Sequence, residues 1–471
     1  STQRLKAANF SCGKPARHNS PPATDFVLTG YRSSSQLPQG IAGRRRSTVG
    51  FLNGVQATAL SPIVFSHALA STTPSPHTRV PTLERYESLV IGLGAMGAAT
   101  VYQLAKAGVK VAGIDRHHPP HSFGSSHGDT RITRLSVGEG AQYVPIVRRS
   151  HAIWRELEAL SGQALFEQSG LLVLTSRDDF DPSDATDFTL RTIGLAQTYG
   201  IEHERLDAAQ IRQRFPQFAQ VADSAIGYYE PGGGFVRPER CIDVQLTLAE
   251  QHGATLYKGE TVTHISSDVH GVTVTTDQRT LQADKLVVSA GNWAGELLGA
   301  PFDRLLSVYR QQLFWFALEP GADLVGKSPT YILTHEQGQT HYGFPALPGE
   351  GSMKLATAQY HTTATPETLD RTVSAAQAQE MYEQQVKGRI TGVSAKVLKA
   401  AVCAYTVTPD HDFIIDEHPT LQHTLVVSPC SGHGFKHSAA LGEAFAQWCM
   451  RGSSDLDLSA FSLKRFEGNS V

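Results

Sequence analysis

From residue 88 onward, short apolar runs alternate with longer stretches whose apolar positions recur every three or four residues. Residues 88–92 (SLVIG) are continuously apolar over the length of one strand, the pattern of a strand buried on both faces. Residues 95–107 (AMGAATVYQLAKA) have helical spacing, with small residues toward the preceding turn, and Gly108 ends that helix. Residues 109–115 (VKVAGID) form a second buried-type strand and complete the start of a βαβ unit. Helical patterns at 143–160 and 243–252 then alternate with strand patterns at 170–174, 272–276 and 285–289. Near the end, 424–428 (TLVVS) leads through Gly432 and Gly434 into an amphipathic helix over about 433–450. This alternation predicts an α/β fold with a doubly wound parallel sheet.

The first turn of that pattern carries chemistry. Gly92, Gly94 and Gly97 form G-x-G-x-x-G between the first strand and the first helix. The first glycine permits the tight turn, the second lets backbone approach a pyrophosphate, and the third lets helix and strand pack closely. The helix N-terminus offers free N–H groups and partial positive charge to phosphates. Asp115 ends the second strand about twenty residues further on, where a carboxylate accepts ribose hydroxyls. These positions predict a dinucleotide site. They leave FAD and NAD open, and the acid argues against NADP.

The first eighty-odd residues differ in texture. Before Glu84 the only acid is Asp25, against Arg4, Arg17, Arg32, Arg44, Arg45, Arg46 and Arg79 among many Ser, Ala, Thr and Pro. Such a stretch buries too little apolar surface to offset the ordering of its backbone, so 1–84 is expected to be a disordered or targeting leader. Its acid-poor, Arg- and Ser-rich composition is that of an organelle transit peptide. Arg44-Arg45-Arg46 ahead of a mildly apolar run ending in Ala68-Leu69-Ala70 equally resembles a twin-arginine export signal. Without either signal, a cytoplasmic location is expected. Asn53, Gln56, Pro62 and His67 interrupt the run, so no membrane-spanning helix is predicted there.

The 471 residues suffice for two domains or one large one. A net charge of −3 gives no reason to expect a nucleic-acid partner. Cys12, Cys241, Cys403, Cys430 and Cys449 are scattered without a CxxC pair, which argues against a disulfide framework and against a metal site.

Four further segments carry a resemblance. Residues 124–134 read GSSHGDTRITR, followed by Gly138-Glu139-Gly140 and Tyr143-Val144-Pro145. Residues 342–345 read YGFP with Lys354 shortly after, 401–416 read AVCAYTVTPDHDFIID, and 431–436 read SGHGFK. In this order they closely resemble the monomeric sarcosine oxidase and N-methyltryptophan oxidase family, FAD-dependent amine oxidases of the D-amino-acid-oxidase-like superfamily. The resemblance runs from about 88 to 466.

The resemblance implies a Rossmann-like FAD-binding domain of p-hydroxybenzoate-hydroxylase (glutathione-reductase-2) type, interleaved with a mixed-sheet α+β substrate domain. The expected division is 85–165, 225–305 and 400–471 for the FAD-binding domain, and 166–224 and 306–399 for the substrate domain. It further implies a monomer, with FAD held covalently through Cys403, acting on a small secondary amino acid and molecular oxygen. Arg134 and Lys436 match the family's carboxylate-binding pair. A guanidinium supplies planar bidentate hydrogen bonds, and an ammonium supplies a second positive charge.

His127 and Arg131 match residues placed against the flavin ring, where a cation stabilises the anionic reduced flavin. Lys354 matches the lysine that promotes reaction with oxygen, and Tyr342 and Tyr405 match tyrosines that line the site. Gly432 and Gly434 precede a helix whose positive end is expected to face the flavin. The implied reaction passes a hydride equivalent from the amine to the flavin. An imine then hydrolyses to an aldehyde and a free amino acid, and oxygen is reduced to hydrogen peroxide. A dehydrogenase using another acceptor and a flavoprotein that has lost catalysis remain as alternatives.

Two departures bear on the substrate. The family has a histidine four residues after the oxygen-activating lysine, where this chain has Ala358. The next histidine, His361, lies at an odd spacing that puts it on the opposite face of a strand. The family's SHHGDTR is here Ser125-Ser126-His127, so the outer histidine is missing and the inner one kept.

Overall fold

A computed structural model describes residues 83–467. The expectations for the leader lie outside the described residues up to position 82. Among the described residues, no helix is long and apolar enough to cross a membrane.

The first sheet contains five parallel strands, in the order Thr255–Lys258, Val111–Asp115, Glu84–Ile91, Thr280–Val288 and Thr424–Ser428. Val90 packs with one core cluster while Leu89 and Ile91 pack with another, on opposite faces. Burial on both faces is the reason these strands read as unbroken apolar runs. Helices Ala95–Lys106, Tyr143–Ser161, Pro238–Gln251 and Ser438–Arg451 supply the cluster around Val90.

The second sheet is mixed, in the order Val393–Val407, Ser307–Leu318, Ser352–Thr357, Thr340–Gly343, Thr330–Thr334, Leu171–Thr175, Ile226–Glu230 and Glu204–Asp207. All its pairings are antiparallel except that of Thr330–Thr334 with Leu171–Thr175. The division expected at 400 falls inside Val393–Val407, and that at 225 falls just before Ile226–Glu230.

Register aligns several of the expected site residues on one face of this sheet. Tyr405 lies opposite Tyr309, Cys403 opposite Gln311, Lys354 opposite Trp315, and Tyr342 opposite both Ala356 and Ile332. Alternation along each strand therefore puts Tyr405 and Cys403 on one face, as it does Lys354 and Ala356.

Several element boundaries differ from the sequence pattern; the first strand, for one, starts at Glu84 rather than 88. The helix expected at 243–252 begins at Pro238, which occupies its first turn, where the missing N–H goes unneeded. The second strand starts at Val111 rather than 109. The last α-helix starts at Ser438, preceded by a 3-10 turn at Phe435–His437, so the turn at Gly432–Gly434 enters the helix in two stages.

Candidate active site

A cavity of about 900 Å³ runs from the ends of the parallel strands to the face of the second sheet. Gly92, Gly94, Asp115, Arg131, Arg134, Tyr342, Tyr405, Gly432, Gly434 and Lys436 all line it. Gly97, His127, Lys354 and Cys403 are not among its lining residues.

The glycine turn is built as its sequence requires. Gly92 has φ +86°, and a Cβ there lies 2.4 Å from the Ser289 carbonyl oxygen. At Gly97 a Cβ lies 1.7 Å from the Gly92 oxygen, so helix and strand touch through their backbones. Gly94 is different: within 4 Å its Cβ meets only Ser126 Oγ, at 3.9 Å, leaving an open cradle on the cavity. Asp115 Oδ2 accepts the Leu93 N–H and Oδ1 accepts the His117 N–H, each at 2.8 Å. Burial raises its carboxyl, but the His121 ring and these two N–H groups outweigh burial and hold it below the usual carboxylate range.

The next group gathers around residues 128–130. Lys354 Nζ donates to Gly128 O at 2.6 Å, Thr130 O at 3.0 Å and Thr130 Oγ1 at 3.1 Å. Burial and the Arg131 charge pull its ammonium well below the usual lysine range. Glu239 Oε1 accepts the N–H of Gly128 at 2.6 Å and of Asp129 at 3.2 Å. Arg131 donates to Thr130 O at 2.8 Å and Ser125 O at 2.7 Å. Burial, with Arg131 and Lys354 nearby, pushes His127 down to about 3, and its Nε2 has no hydrogen-bond partner. The cation expected here is therefore Arg131, with His127 a neutral ring. Cys403 is 1% exposed; burial pushes its thiol up while Arg131 and Lys354 pull against that shift.

At the other end Arg134 and Lys436 converge, 2% and 3% exposed. Both meet one carboxylate, which the sequence motif contained but did not assign. Glu139 Oε2 accepts from Arg134 at 2.6 Å, and its Oε1 lies 3.8 Å from Lys436 Nζ. Burial alone raises the Glu139 carboxyl, but Arg134 and Lys436 hold it well below the usual range. Lys436 also donates to His433 O at 2.6 Å, and burial lowers its ammonium to about 7 despite Glu139.

Tyr342 and Tyr405 stand with their hydroxyls 3.3 Å apart on the second sheet. His361 is exposed, because the strand carrying Lys354 ends at Thr357 and its alternation stops there. Ala358 and Tyr360, not His361, line the cavity beyond that strand. Sequence reasoning missed Glu139 and Glu239. Glu139 had a local signal in its flanking glycines, whereas Glu239 had none beyond its place in the first turn of a helix.

Comparison with known proteins fits this geometry. Residues 87–448 match the model of the FAD dependent oxidoreductase family (DAO), and the chain belongs to that family. It is 35% identical over 383 residues to monomeric sarcosine oxidase of Bacillus sp. (strain NS-129), covering 81% of this chain and 97% of that protein. It is 34% identical over 382 residues to N-methyl-L-tryptophan oxidase of Salmonella heidelberg (strain SL476), covering 81% of this chain and 99% of that protein. Among solved structures, L-proline dehydrogenase from P. horikoshii superposes with a TM-score of 0.68 at 20% identity, covering 82% of this chain and 98% of the other. Glycine oxidase from Geobacillus kaustophilus gives 0.64 at 22%, covering 81% and 99%. These two likenesses concern the fold.

The chain is thus an FAD-dependent oxidoreductase, and the resemblance read from the sequence holds. The residues fit that cofactor. The open cradle at Gly94, the start of the first helix and the Asp115 carboxylate form one wall of a cavity long enough to reach Tyr405.

Proposed function

We propose that this chain is an oxidase of small secondary amino acids, of sarcosine, N-methyltryptophan or pipecolate type, with FAD tethered to Cys403 and oxygen as the final acceptor. The observation that carries this reading is the convergence of buried Arg134 and Lys436 on one carboxylate. Two buried cations require an anion, and here Glu139 provides it. The Glu139 side chain is 24% exposed against 3% for each cation, so of the three it is the one more open to displacement. A substrate carboxylate then takes its place.

Bound FAD supplies the two-electron acceptor for the C–N bond. The chain's own groups do the positioning. Arg134 and Lys436 hold the carboxylate, which fixes the amine along the cavity wall formed by Tyr342 and Tyr405. Arg131 provides a permanent positive charge, while His127 and the two tyrosines stay neutral. An N-methyl substrate yields formaldehyde, the free amino acid and hydrogen peroxide.

Titration with methylthioacetate, a carboxylate without an amine, tests the clamp through the flavin spectrum. The wild type should show a saturable perturbation that Arg134→Met and Lys436→Met each weaken strongly. A wild-type spectrum that does not respond contradicts the assignment and favours a non-catalytic flavoprotein.

The dehydrogenase alternative draws on one observation. Lys354 Nζ is engaged by Gly128 O, Thr130 O and Thr130 Oγ1, and the residue is not among those lining the cavity. Lys354→Met discriminates, because only an oxidase loses its rapid reoxidation by oxygen.

A further inference from the structure

Residues 358–374 leave the second sheet after Thr357 and return to helix Ala375–Met381. The base of this segment is fixed to its own sheet. The Arg310 N–H donates to Thr362 O and the Ala364 N–H to Val308 O, each at 3.0 Å. Leu369 is buried against Val308, Val402 and Ala404, and Arg310 Nε donates to Asp370 O at 2.7 Å.

Its middle reaches the loops of the first sheet. Glu367 Oε1 accepts the Trp293 Nε1–H at 3.0 Å and lies 3.4 Å from Arg116. Arg371 donates to Ser122 O at 3.1 Å and Phe123 O at 2.7 Å, with its guanidinium 5.4 Å from the Phe123 ring centre. Phe123 in turn stacks on His117 at 4.3 Å. Arg116 and Trp293 line the cofactor cavity, as do Pro119, Pro120, His121 and Gly124. Residues 362–372 themselves do not, so they brace the rim from outside.

We propose that residues 362–372 are a strap that latches the rim of the cofactor cavity, with Glu367 and Arg371 as the positioning residues that retain FAD. The proposal rests on FAD occupying this cavity. The strap ties loops of one sheet to the other sheet across the wall that a long dinucleotide must pass. Its holding groups are wet: Glu367 and Arg116 are 50% and 35% exposed. Exposed ion pairs and hydrogen bonds exchange readily with water, so the latch opens at small cost while the buried base at Leu369 stays fixed. Opening therefore releases the Glu367 and Arg371 side chains, while the backbone at 362–364, 370 and 372 stays held to its own sheet.

The test uses the full chain carrying Cys403→Ala, so that FAD is held without a tether, reconstituted with FAD. Release is followed by flavin fluorescence in this parent and with Glu367→Ala, Arg371→Ala and both. The double variant should release FAD about tenfold faster, equivalent to ~1.4 kcal/mol. A rise below about threefold overturns the latch. Hydrogen exchange on the loaded protein keeps the test local. Faster exchange confined to 362–372 and 116–126 is expected, and faster exchange throughout the sheets overturns a local latch. A parent that takes up no FAD overturns the cofactor reading as well, whereas a parent that releases FAD at the double variant's rate overturns the latch alone.

Discussion

Glu139 accepts a 2.6 Å hydrogen bond from Arg134, so the pair expected to bind a substrate carboxylate already binds one from the chain itself. The two cations are satisfied electrostatically by a group that is more exposed than they are. On the proposed function, binding is an exchange of carboxylates.

Removing the internal competitor should strengthen binding. Glu139→Gln keeps the shape and removes the charge, and methylthioacetate should bind about tenfold more tightly, ~1.4 kcal/mol, when both proteins are compared at a pH below their Lys436 midpoints. Isothermal titration measures this directly. Equal or weaker binding would show that Glu139 supports the clamp and does not compete for it.

Lys436 sets a pH dependence. Burial lowers its ammonium to about 7, so it is charged below that pH and neutral above it. Affinity for methylthioacetate, which has no amine of its own, should fall as pH rises through about 7. Lys436→Arg should flatten the profile, since a guanidinium stays charged. In Glu139→Gln the midpoint should move to lower pH, because Glu139 is what raises Lys436 against burial and Arg134. A midpoint unchanged by both substitutions would assign the titration to another group.

The flavin tether can be read from a pellet. Acid precipitation of the wild type should leave fluorescent flavin with the protein, and Cys403→Ala should release it. Cys430 lines the cavity yet stands outside the family motif, so Cys430→Ala should retain the flavin. Retention in Cys403→Ala with loss in Cys430→Ala would exchange the two assignments.

Lys354→Met separates the two halves of turnover. Stopped flow should show reoxidation by oxygen slowed at least about tenfold while reduction by substrate changes less. The same variant leaves the Gly128 and Thr130 carbonyls without their donor and should lower stability by about 1–3 kcal/mol. Equal slowing of both half-reactions would indicate that Lys354 acts only by holding residues 128–130.

The sequence made the nucleotide turn legible because its constraints are local. Gly92 turns at a positive φ and Gly97 meets the Gly92 carbonyl five residues away, and apolar runs such as 424–428 mark buried strands outright. The contacts that define the site are between distant segments. Glu139 lies within the Gly138-Glu139-Gly140 motif, yet its pairing with Lys436 comes only from the fold. Nor could the charge of His127 be read, since it depends on burial beside Arg131 and Lys354. His361 lies off the cavity, as its odd spacing suggested, but strand parity is not the reason, since the strand ends at Thr357. Mixed-sheet membership was equally hidden, because Val393–Val407 carries the Cys403 motif but pairs within the second sheet.

The most direct test is anaerobic mixing with sarcosine, N-methyltryptophan, pipecolate and proline in turn, followed by admission of oxygen. At least one should bleach the flavin absorbance, and oxygen should restore it with one hydrogen peroxide formed per flavin. Failure of all four to bleach the flavin, or bleaching that oxygen does not reverse, would contradict the assignment of this chain as a secondary-amine oxidase.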